Sequence, residues 1–91
     1  MSWQDILKSV SKEKIREIRE VLRGYIMPND DEEAEEMGKK LKQFMEEMPK
    51  GRGLLRPVRV SSLSSSHRDE KVRSDIGWKI DRYLDALEEL Q

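Results

Sequence analysis

Four stretches of this chain carry side chains of the kinds that perform chemistry. His67-Arg68-Asp69 spells the opening of the protein-kinase catalytic loop, where the Asp serves as base and an Asn five positions later holds a metal. Here that later position is Ser74, and 91 residues cannot hold a kinase domain, so the match is read as chance. Ser64, Ser65 and Ser66 beside His67 supply a hydroxyl and the chain's one imidazole. A triad needs nucleophile, base and orienting acid converging in space, and a serine run in a linker-like segment does not imply that. Asp30-Asp31-Glu32-Glu33 with Glu35-Glu36 offers oxygen ligands. Calcium loops alternate ligands over about twelve residues and bend at a Gly. Consecutive helical carboxylates point apart. The run therefore reads as a solvated first turn.

No Cys is present, which removes thiolate metal sites and thiol nucleophiles. Gly51 and Gly53 are followed by Leu54-Leu55 instead of the Lys and Ser or Thr of a phosphate loop. No catalytic residue, cofactor or metal site is expected, and the chain reads as a non-enzyme.

The fourth stretch is cationic. Residues 50–73 hold Lys50, Arg52, Arg56, Arg59, Arg68, Lys71 and Arg73 against Asp69 and Glu70, a net of +5, while the flanking segments are each −3. A basic arm between acidic helices suits phosphate neutralisation, with salt-sensitive affinity. These seven residues are the candidate nucleic-acid contacts. The arm itself has no aromatic residue on which a base would stack. Two other readings stay open: the arm folds back on the acidic faces, or it is a protein-docking strap using Leu54, Leu55, Val58 and Val60.

The elements that position these residues follow from periodicity. Ile15, Ile18, Leu22, Tyr25 and Ile26 make an apolar stripe at helical spacing after a Ser11 cap, with Val10 and Ile15 placed as a hydrophobic staple. Pro28 ends that helix. A second begins after Asn29 or Asp30, carries Ala34, Met37, Leu41, Phe44, Met45 and Met48 on one face, and stops at Pro49 and Gly51. A third runs from Ser66, capped with Asp69 three residues on, and presents Val72, Ile76, Ile80, Tyr83, Leu84 and Leu87. Gly77 within it implies either a close helix–helix approach or a start at Ser74. Trp3, Ile6, Leu7 and Val10 fit a short leading helix capped by Ser2.

The expected fold is thus all-α and a single small domain: helices near 12–27, 30–48 and 67–90, with an irregular basic Gly/Pro/Ser-rich connection over 49–66. The first two form an antiparallel hairpin, because the link between them is short.

Met1-Ser2-Trp3-Gln4-Asp5-Ile6-Leu7-Lys8 resembles the opening of small uncharacterised proteins from marine viruses and microbes. The resemblance covers those eight residues, implies a viral or accessory protein, and brings no activity or site residue.

Charged residues form 41% and hydrophobic ones 35% of the chain, against typical shares of roughly 25% and 45–50%. Such a lean composition suggests a thin core completed by a partner. A homodimer or protein partner burying Met37, Phe44, Met45, Met48, Trp78, Tyr83, Leu84 and Leu87 is accordingly expected. Lacking a signal peptide or a membrane-length apolar run, the chain is expected to be cytoplasmic. The sequence favours a self-associating helical interaction module, with nucleic-acid binding through residues 50–73 as the alternative.

Overall fold

A computed structural model describes the backbone of residues 3–59 and 69–90. The described residues form α1 (Trp3–Lys8), α2 (Lys12–Ile26), α3 (Asp31–Glu47), a 3₁₀ turn (Gly53–Leu55) and α4 (Glu70–Glu89), with no strand among them. The all-α expectation holds.

Each long helix starts where a side chain meets its orphan N–H groups. The Ser11 hydroxyl accepts from Lys14 N–H at 3.1 Å, opening α2. The Asp30 carboxylate accepts from Glu33 N–H at 2.8 Å, which makes Asp30 rather than Asn29 the cap of α3. Glu33 reaches back to accept from Asn29 N–H at 2.8 Å, so the two carboxylates brace the turn from both sides. The cap of α4 is Asp69, accepting from Lys71 N–H at 3.0 Å and Val72 N–H at 3.3 Å. That moves the start of this helix from the expected 67 to Glu70, because a carboxylate already in reach of two amides closes the turn there. Ser66, like the rest of 60–68, lies outside the described residues.

The directions of the helices follow from cross-helix pairs. Lys14 near the start of α2 lies 3.9 Å from Glu47 at the end of α3, while Gly24 near the end of α2 faces Met37 and Glu33. These two helices are antiparallel, as their short link implies. Arg19 meets Asp81, Asp85 and Glu88, whereas Ile26 and Leu22 meet Gly77, so α4 is also antiparallel to α2. It follows that α3 and α4 run in the same direction, one on each side of α2. The chain must then return along the bundle between them, about 30 Å for a twenty-residue helix. This is the physical reason for the long connection after Pro49.

Gly77 sits inside a continuous α4, which settles its role as a point of close approach. A Cβ there would overlap Cδ1 and Cγ1 of Ile26. The ~1 kcal/mol helix cost of glycine is therefore offset by letting α2 lie close.

The core closes within the chain. Leu7, Ile15, Ile18, Leu22 and Tyr25 meet Leu41, Met45 and Met48 on one side and Ile76, Ile80, Tyr83, Leu84 and Leu87 on the other. Residues expected to wait for a partner are thus already buried: Met45, Met48, Tyr83, Leu84 and Leu87 are each at most 7% exposed. Phe44 is half-buried beneath Lys14, whose Nζ stands 4.4 Å from the ring centroid, and Met37 packs against the same core. Of the eight, Trp78 alone is an exposed side chain, at 62%. Three short stripes were expected to need outside help. They complete one another instead, because α2 lies between α3 and α4.

Arg19 pins α2 to α4 by donating to Asp81 at 2.6 Å, Asp85 at 2.7 Å and Glu88 at 3.2 Å. Its side chain is 30% exposed and the carboxylates 45–60%, so water screens the network strongly. Arg19→Ala is expected to cost about 1 kcal/mol in urea unfolding, with the loss shrinking as salt rises. A loss unaffected by salt would mean that the arginine acts through its aliphatic stem instead.

Candidate functional site

The segment after α3 does not hang free. Leu55 and Val58 pack on the core, and the Tyr83 hydroxyl donates to the Pro49 carbonyl at 3.3 Å. The expected irregular arm therefore contains one regular turn, held against α4. Gly53 opens that turn with φ at +61°, the left-handed region in which a side chain costs roughly 1 kcal/mol or more. Past the turn, Arg56 and Arg59 stand across from Lys79 and Arg82 of α4.

A groove of about 390 Å³ results. Gly53, Arg56, Pro57, Val58 and Arg59 form one wall, and Lys79 and Arg82 of α4 form the other. Among the described residues four cations line it and no carboxylate does. Among the described residues none of the four is in an ion pair with an acidic side chain. Lys79 and Arg82 also line an adjoining hollow with Trp78 and Asp75. The Arg82 guanidinium lies 5.5 Å from the Trp78 ring centroid, a cation–π distance. Beyond Arg82 the charge changes sign, at Asp85 and Glu89.

Arg56 and Arg59, two of the seven basic candidates, enter the groove. Lys50, Arg52 and Lys71 are exposed outside its lining. Arg68, with Val60, His67 and the serine run, lies outside the described residues. Arg73 is corrected: it is only 7% exposed and turns inward beside Tyr25, where its charge is felt by the buried phenol. Residues 73, 76, 80, 84 and 87 share one helical face, so the register that buries Ile76 and Ile80 takes Arg73 in with them. Lys79 and Arg82 were absent from the basic candidates because they sit in a segment of net charge −3. Their signal was the face opposite Ile80 and Leu84, which places them beside Trp78. The aromatic missing from the arm is thus supplied by α4.

No group of three or more potential metal-ligating residues converges among the described residues. None of their helices is long and apolar enough to cross a membrane. The fold and site define an all-α chain with a basic groove on one side of its last helix. Comparison with protein-family models, curated proteins and solved structures finds no match to it.

Proposed function

We propose that this chain is a non-catalytic helical binding module that captures an anionic partner in the groove between residues 53–59 and α4. The observation carrying this reading is the convergence of Arg56, Arg59, Lys79 and Arg82 with no carboxylate in the lining. Cations gathered with no carboxylate in the groove lining and, among the described residues, no ion pair within 4 Å favour an entering anion, and guanidinium groups grip phosphate or carboxylate in a fork. The reading keeps the partnership expected from composition but moves its surface. Self-association through the apolar stripes loses its support, since those side chains already cover one another.

A fluorescein-labelled heparin oligosaccharide at low salt is a suitable general polyanion probe. Reversing two charges in Arg56→Glu/Arg82→Glu is expected to weaken its binding on the order of tenfold or more, about 1.4 kcal/mol. The control is Lys39→Glu/Lys40→Glu on α3, where both lysines lie within 4 Å of a glutamate one turn away. Equal losses in both variants would show a diffuse surface effect and defeat the groove as the site.

A further inference from the structure

The groove ends against an exposed tryptophan, and that juxtaposition narrows the ligand. Trp78 is one of three exposed large hydrophobic side chains among the described residues, with Ile6 and Met27. It alone adjoins the cations. It shares its hollow with Asp75, Lys79 and Arg82, three ionisable side chains. An acidic peptide anchoring through a hydrophobic residue would want a desolvated apolar pocket around that anchor. An exposed flat ring with charged side chains beside it suits a ligand that is itself flat, apolar on its faces and polar at its edges, linked to phosphate. That describes a nucleotide base.

We infer, resting on the anionic-partner reading above, that the module binds single-stranded nucleic acid. Backbone phosphates lie along Arg56, Arg59, Lys79 and Arg82, and a base stacks on Trp78. The strand is single because a base held inside a duplex has both faces covered by its neighbours and offers none to the indole. Arg82 serves both parts of the site, as a phosphate ligand and as the cation over the ring that orients it. Asp75 and Glu89 flank the cationic stretch of α4. Binding of this kind reads backbone and ring rather than sequence.

The test titrates the full chain with a fluorescein-labelled oligothymidine, an abasic oligomer of equal length, a poly-glutamate peptide, and the heparin probe. The oligothymidine is expected to bind with salt-dependent affinity and to exceed the abasic oligomer. Trp78→Ala is expected to lose roughly 5- to 150-fold for the oligothymidine, the range of one stacked base, and much less for the abasic oligomer, which feels only the loosened Arg82. Trp78→Phe restores much of the loss. The residue is exposed, so these variants keep the fold, which circular dichroism verifies. Equal binding of oligothymidine and abasic oligomer, or indifference to Trp78→Ala, overturns base stacking. Binding of poly-glutamate but not of oligothymidine assigns the groove to an acidic protein segment and overturns the nucleic-acid inference. Heparin binding without oligothymidine binding has the same effect and leaves the anion reading standing. No binding of any probe overturns both.

Discussion

Leu84→Ala is expected to cost about 2–5 kcal/mol, the loss of a fully buried leucine plus the cavity left behind. A chain of 91 residues has roughly 5–14 kcal/mol in total at 0.05–0.15 kcal/mol per residue, so this one truncation removes a large share. Leu84 has no exposed surface and lies on the face of α4 that meets α2. The loss should be read as a lowered urea midpoint with little change in slope. For wild type and variant alike, the midpoint is expected to be independent of protein concentration, because the core closes within one chain. A wild-type midpoint that climbs with concentration would mean a second copy completes the core, contrary to this packing.

Raising the pH should unfold the protein through its tyrosines. Burial pushes the Tyr83 hydroxyl up to about 12 from an ordinary 10.0. The Tyr25 hydroxyl is raised by burial too, against a smaller opposing pull from Arg73. The neutral phenol is the form the core accepts, so the folded state holds its proton more tightly than the unfolded one. Stability is full below about pH 10 and is lost as pH rises toward about 12. For Tyr83 alone this amounts to roughly 2–3 kcal/mol at 1.36 kcal/mol per pH unit. Tyrosinate absorbance and helical ellipticity should therefore change together. Tyr83→Phe should flatten the alkaline limb and cost about 1 kcal/mol at neutral pH, through the lost bond to Pro49. Tyr25→Phe should be near neutral or stabilising, because that buried hydroxyl has no hydrogen-bond partner among the described residues. Tyrosine ionisation well before unfolding would show that these phenols are not enclosed.

The helices were legible because their cues are local. Val10 and Ile15, the Ser11 and Asp30 caps, Pro28 and the apolar stripes each act within a few residues. Where cues competed, the boundary moved: Ser66 and Asp69 both resemble caps, and Asp69 is the one whose carboxylate meets the amides. Composition misled about the core, since a low apolar fraction says little about how completely a central α2 lets two neighbours share its surface. The site was half legible. Arg56 and Arg59 announced themselves in a basic run. Lys79, Arg82 and Trp78 are scattered through an acidic helix, and only the parallel course of α3 and α4, with the chain returning between them, lays the arm beside them. Arg73 shows the converse, a basic residue in the right stretch whose helical phase takes it into the core.

The docking of residues 53–59 against α4 also couples occupancy of the groove to folding. The groove's two walls are separated by some twenty residues of chain and meet only when both α4 and the 53–59 segment are docked. An unfolded chain keeps the cations but not their convergence, so a ligand that needs the assembled groove favours the folded state. At a free concentration one hundred times its dissociation constant, such a ligand adds about 2.7 kcal/mol to stability. For a domain this small, that is a substantial fraction of the whole. If the proposed anionic ligand binds there, a shift in melting temperature reports it without any label.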